Sequence, residues 1–398
     1  MLVGALAVAL ALVGEPATRP GSTERPLPPP RVEPTATVDA EGDDTRRFDP
    51  RVEAALRLVV GTEWDTNARR AVTGSTDLFG NTPFPTVVVG DALVRALVDV
   101  DVNLTLTRRD RVALSYLLGA KRFVEERTED VLVHDLGLET VHGLVGPLHL
   151  YARGRVRASR MQSGLRDYTL GSGGAGLGWR VVDGLTISLG GRYDALGFGF
   201  DGALSYRGAV LEADVTWRPT PRLTLSAFGG PIERRFDGFA FVLRETDDGV
   251  EAVRCDGTDD ACPRTLRSDL EGLVGLRATY RGPVVLGLDA LGRFQGSTSE
   301  IERIDRYRIA AFITVALPLG VMGSALAALQ FNKGVSATQG LYLVEDDENQ
   351  NSIEVQLSRA LVGPLDATLR YGLYANEFAT APARFLRQTF YLGLSYTR

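Results

Sequence analysis

Lysine is nearly missing from this sequence: among 44 basic residues only Lys121 and Lys333 are lysines. That arginine bias is a compositional habit and assigns no function. Histidine occurs three times, as His134, His142 and His149. His134 and His142 share a strand parity but stand about 27 Å apart in extended chain, so they cannot share one metal ion. No convincing Ser/His or Asp/His pair accompanies them, and the chain reads as a non-enzyme without metal or cofactor. The glycine run LGSGGAGLGW (170–179) lacks the Lys-Ser/Thr of a phosphate loop. Small residues for close strand packing explain it better. No apolar run reaches the roughly 18 residues of a membrane helix. A net charge of −6 argues against a nucleic-acid partner.

What is present begins with an apolar stretch, MLVGALAVALALVG, of the size of a signal-peptide core. Residues 1–17 are assigned to it. Residues 18–52, rich in Pro, Thr and acids around PLPPP, cannot bury enough apolar surface to fold and read as a disordered linker. No Cys follows the apolar stretch, which argues against a lipid anchor.

From residue 53 to 398 one pattern repeats. Segments of about 11–16 residues alternate apolar and polar, as strands do. They are joined alternately by two kinds of connector. Tight Pro- and Gly-rich turns fall at 108–111, 145–147, 181–184, 218–222, 281–283, 317–320 and 362–364. Longer polar loops fall at about 66–91, 125–131, 159–168, 195–205, 234–265, 296–305, 334–351 and 377–384. Seven turns and eight loops predict about sixteen antiparallel strands, within a range of 14–18, with both termini on the short-turn side. Soluble sandwiches and propellers use shorter strands and do not segregate loop lengths.

The two parities differ sharply. One carries Leu58, Val60, Val98, Val100, Ile187, Leu189, Leu286, Leu288, Leu392 and Leu394. It ends in aromatics at both strand ends: Trp179, Trp217, Tyr280 and Tyr396 by the short turns, Trp64, Tyr193, Phe294, Tyr307 and Phe331 by the long loops. The other parity carries charge. Strand by strand it shows Arg57 and Glu63, Asp99 and Asp101, Asp135 and Glu139, Arg153, Arg155 and Arg157, and Arg192. It continues with Glu212, Asp214, Asp269, Glu271, Arg277, Asp289, Arg293, Glu354, Asp366, Arg370 and Arg387. A closed core could not hold so many ions, because each needs water or a partner. A water-filled lumen can. The acids of strands two and four, with the Arg-x-Arg-x-Arg ladder of strand five, suggest either a transverse field across that lumen or charges that simply pair with one another. Tyr151, Phe228, Tyr374 and Tyr391 lie on the same parity and are candidates for stacking on sugar rings.

This pattern resembles Gram-negative outer-membrane β-barrels and is similar to porins in architecture. The resemblance is one of pattern over 53–398. The final strand, QTFYLGLSYTR, is similar to the terminal strand read by the barrel-assembly machinery, although Thr397 and Arg398 follow the last aromatic. A looser similarity exists to barrels that export exopolysaccharide. The resemblance implies an all-β, transmembrane, up-and-down barrel in the bacterial outer membrane, its linker in the periplasm, in contact with lipid and lipopolysaccharide. It implies a channel for small hydrophilic solutes, sugars among them. The alternative is a conduit or structural part of a polysaccharide-export or other envelope complex, for which the linker would meet a periplasmic partner.

Cys255 and Cys262 lie in the longest outer loop of an exported chain, where a small disulfide loop is expected. The acids Asp256, Asp259 and Asp260 between them lack calcium-loop spacing, and like 345–351 (EDDENQN) they read as a solvated acidic tip.

Overall fold

A computed structural model describes residues 50–398, apart from segments 70–86, 165–166, 200–201, 247–248, 260–261, 301–302, 335–350 and 376–385. The expected signal peptide, the linker up to residue 49 and nearly all of the acidic stretch 345–351 lie outside the described residues.

The strands are β1 (Arg51–Asp65), β2 (Asp91–Thr105), β3 (Asp110–Phe123), β4 (Val131–Gly143), β5 (Leu148–Met161), β6 (Tyr168–Val182), β7 (Leu185–Phe198), β8 (Tyr206–Thr220) and β9 (Leu223–Phe239). There follow β10 (Phe241–Thr246), β11 (Gly249–Arg254), β12 (Leu266–Arg281), β13 (Val284–Ser297), β14 (Ile304–Leu317), β15 (Val321–Gly334), β16 (Asn351–Val362), β17 (Leu365–Ala375) and β18 (Leu386–Thr397). All except β10 and β11 pair antiparallel with their neighbours in one closed barrel of sixteen strands. The predicted strand number, order and hairpin turns are those observed. β10 and β11 form a separate two-stranded ribbon within the longest loop.

Closure joins the first and last strands of the barrel. β1 pairs with β18 from Arg57↔Thr397 to Asp65↔Thr389. Leu56 and Arg398 exchange both backbone hydrogen bonds, at 2.8 and 2.9 Å. A closed sheet leaves no unpaired edge, which the apolar interior of a bilayer demands. Arg51 and Val52, assigned from sequence to the linker, belong to β1, because they pair with Thr105 and Leu104.

Two loops are shorter than the sequence suggests. β7 continues to Phe198, and β9 to Phe239 before the β10–β11 ribbon begins. Beyond the apolar belt both faces of a strand meet water, so the alternation that marks it fades although the backbone pairing persists.

The two faces segregate as the parities predict. Leu58, Val60, Leu189, Leu211, Leu276, Leu288 and Leu392 are exposed on the outward face. The aromatics Trp64, Tyr193, Phe294, Tyr307 and Phe331 are exposed at the long-loop rim, and Trp179, Trp217 and Tyr280 at the short-turn rim. Glycines on β6 and β7 have a local cause. A Cβ on Gly176 or Gly190 would meet the Tyr151 phenol, which lies across both strands from β5. The inward ring displaces side chains from its neighbours and fills their space.

Candidate functional site: the lumen wall

The residues predicted to line a pore share the inward face, and most gather into three ionic groups near the long-loop rim. The first spans the closure seam. Glu63 of β1 accepts hydrogen bonds from Arg95 of β2 at 3.0 Å and Arg370 of β17 at 3.2 Å. Its side chain is 0% exposed. The guanidinium carbons of Arg95 and Arg370 lie 6.0 and 5.0 Å from the Tyr391 ring centroid. Beside them Asp65 pairs with Arg387 at 2.7 Å, and Arg387 lies over Tyr374. The Tyr374 hydroxyl donates to Glu354 at 2.8 Å.

The second group holds the arginine ladder of β5. Asp135 of β4 accepts from Arg155 through Nε at 2.7 Å and also faces Arg157 at 4.0 Å. Arg153 pairs with Glu212 of β8. Arg192 joins Asp194 at 2.8 Å and Glu212 at 2.7 Å. The third group lies on β9, β12 and β13. Glu271 receives Arg234 at 2.9 Å and Arg293 at 3.4 Å, and Asp269 receives Arg267, Gln295 and Ser297. Nearer mid-depth, Arg277 pairs with Asp289 at 2.8 Å and lies over Phe228. Arg57 and Asp99 are cross-strand neighbours, as are Glu139 and Arg153, while Asp101 stands opposite Ala55.

The ladder of β5 does not oppose an acidic arc across the lumen; its counter-charges lie on the adjacent β4 and on β8 along the same wall. Neighbouring opposite charges cancel at distances beyond their own separation. For the β5 ladder, pairing along the wall is the arrangement adopted.

Depth matters as much as sign. Glu63, Asp65, Arg157, Asp269, Glu271, Arg293 and Arg387, all toward the long-loop rim, are buried. Arg51, Glu53 and Asp101, toward the short-turn rim, are exposed. The outer half of the wall therefore carries a packed ionic belt, while at β1 and β2 its inner end is open to water. Of the four aromatics singled out for sugar stacking, Tyr151, Tyr374 and Tyr391 are buried, and all four have a guanidinium alongside the ring.

Arg95, Asp65, Asp194, Arg234 and Arg267 belong to these groups without having been singled out from sequence. Arg95 shares the parity of Asp99 and Asp101, and extending that alternation outward along β2 finds it. Arg234 lies in a stretch that reads as loop, where parity has no meaning until the strand is known.

Cys255 and Cys262 are disulfide-bonded, with Cα atoms 4.8 Å apart. With Ala240 they form a small buried cluster against which Val242 and Val253 of the ribbon pack. The ribbon is tied to the β13–β14 loop: Phe241 N–H donates to Ser299 Oγ and Leu243 N–H to Glu300 Oε2. Asp256 is held below the usual carboxylate range by hydrogen bonds from Thr258.

A closed wall with an even number of antiparallel strands, lipid-compatible outside, ionic inside and ringed by aromatics at both rims, is the construction of a transmembrane β-barrel of the outer-membrane type, with porin-like up-and-down architecture. No protein-family model and no curated protein matches the sequence. Among solved structures the chain is similar to a loop-deletion mutant of OmpT, an outer membrane protein of Vibrio cholerae, at 11% identity and TM-score 0.41, covering 88% of this chain and 99% of that one. It is similar to the outer membrane protein opdK from Pseudomonas aeruginosa at 13% identity and TM-score 0.41, covering 87% and 99%. A bacterial polysaccharide outer membrane secretin aligns at 9% identity and TM-score 0.39, over 86% and 97%.

Proposed function

We propose that the barrel is an outer-membrane channel for small hydrophilic solutes, and that its ionic belt is the layer that selects among them. The supporting observation is the inward face itself. Sixteen strands enclose a lumen wide enough for water, and the wall carries alternating acids and arginines where a filled core would need apolar side chains. Solutes entering from the long-loop side meet the paired belt first and the hydrated inner wall second. Belt groups such as Arg192, shared between Asp194 and Glu212, offer both signs within one hydrogen-bonding reach, which suits polar or zwitterionic solutes. A sugar would be held through hydrogen bonds to the guanidinium layer beside Tyr151, Phe228, Tyr374 and Tyr391 rather than by stacking on bare rings.

Single-channel recording in planar bilayers tests this reading. The full-length protein should give stepwise, ohmic conductance. Deleting the ribbon residues 241–254 separates an open pore, whose conductance is then unchanged, from a conduit closed by that ribbon, which would conduct only after the deletion. Intact barrels that neither conduct nor let liposomes swell in sugar or zwitterion solutions, with or without the ribbon, would refute the channel.

A further inference from the structure

On the outward face at the long-loop rim, two arginines stand directly opposite one another. Arg207 of β8 is the register partner of Arg235 of β9, with Ala195 of β7 on one side and Ser268 of β12 on the other. Cβ atoms of such partners lie about 4.5–5.5 Å apart, and like charges so placed repel. Among the described residues two exposed carboxylates flank the pair along β9 on the same face: Glu233, which pairs with Arg235 at 2.6 Å and lies opposite Ala209, and Asp237, one pleat further out. Neither acid is seen paired with Arg207, and Arg235 is 78% exposed.

The position of the two arginines points to their partner. One pleat toward the barrel's middle, Tyr193 stands opposite Ala209, and Leu270 opposite Glu233. Both are exposed, as part of the aromatic and apolar girdle. The arginine pair therefore lies about 7 Å beyond the girdle, at the level of lipid headgroups and on the side that faces lipid rather than the lumen. Ala195 and Ala209 are too small to fill the space beside it. Another outward arginine on this arc, Arg160, is engaged otherwise: it donates to the carbonyls of Ser159 and Tyr168 and to Thr169 Oγ1.

We propose that Arg207 and Arg235 form a clamp for the phosphate of an outer-leaflet lipid headgroup. Two guanidiniums converging on one phosphate make charge-assisted hydrogen bonds and remove the repulsion between them. The acyl chains of the same lipid would lie along the apolar belt below. This site requires the barrel to be membrane-embedded but not to be a channel, so lipid binding and conductance can fail separately.

The full-length protein in detergent is titrated with bisphosphorylated lipid A and read by native mass spectrometry. Saturable binding is expected, weakened about tenfold or more in Arg207→Gln/Arg235→Gln and unchanged in Arg160→Gln. Lipid A stripped of its phosphates should bind the wild-type protein no better than the intact lipid binds the double variant, an arm that does not depend on any variant folding. Equal binding of the stripped lipid, equal binding by the double variant, or equal weakening by Arg160→Gln would overturn the clamp. Displacement of lipid A by equimolar inorganic phosphate would assign the pair to a free ion and overturn the lipid assignment.

Discussion

Replacing Glu63 with Gln isolates what the ionic belt contributes to the barrel. Glu63 is the acid that joins Arg95 and Arg370, and its side chain is fully buried. A Gln of the same shape keeps one acceptor oxygen but removes the negative charge, leaving two guanidiniums around Tyr391 without their shared anion. Removing one partner of a buried ion pair costs about 3–5 kcal/mol, because the desolvated charge left behind is no longer compensated. The exposed pair Arg244–Asp259, with side chains 38% and 32% exposed, serves as the contrast: Arg244→Gln should cost about 0–1 kcal/mol. Reversible urea unfolding in lipid vesicles, followed by tryptophan fluorescence, reads both values. Replacing the whole group, as Glu63→Leu with Arg95→Met and Arg370→Met, should recover most of the loss, since the ions are removed together. If Glu63→Gln and Arg244→Gln shift the transition equally, or if the triple variant is less stable than the single one, the belt is not a desolvated network.

Three further outcomes are expected. Gly61→Ala should destabilise the seam by about 1–3 kcal/mol, because its Cβ would press on the Leu392 carbonyl and lie 2.7 Å from Gly393 Cα; Gly173→Ala, with nothing within 4 Å, should be neutral in the same unfolding assay. Breaking the Cys255–Cys262 bond should cost the ribbon about 2–3 kcal/mol of local stability by the chain-entropy relation, read as faster proteolysis within 241–254 while the barrel's unfolding transition stays in place. Neutralising Arg153, Arg155 and Arg157 together to Gln should move the reversal potential in a salt gradient toward cation selectivity; an unmoved potential would show that this ladder does not face the conducting path.

The architecture was legible because a transmembrane barrel obeys one rule along its whole length. Period-two alternation with Trp and Tyr at the strand ends marks the outward face of β6, β8 and β12 without any knowledge of neighbours. The Pro- and Gly-bearing turns fix the hairpin count. The limits of that legibility are also physical. Strand ends beyond the bilayer lose their contrast, so the last residues of β7 and β9, with Arg234 among them, read as loop. Parity reported that Glu63, Arg153 and Arg293 point inward, but not which ions they meet. That depends on the curvature of the wall: Glu63 meets Arg370 across a sequence separation of 307 residues, and Arg153 reaches Glu212 past two intervening strands.

The amino-acid order by itself determined the number of strands, their antiparallel succession and which side of each faces lipid, since these follow from local alternation and turn chemistry. The tertiary structure decided how the inward charges combine. Closing the sheet places β1 beside β18 and fixes the stagger of every neighbour, and only that stagger brings Glu63, Arg95 and Arg370 to one depth. The same stagger sets Arg207 opposite Arg235 on the outer face, a juxtaposition that no spacing within either strand contains.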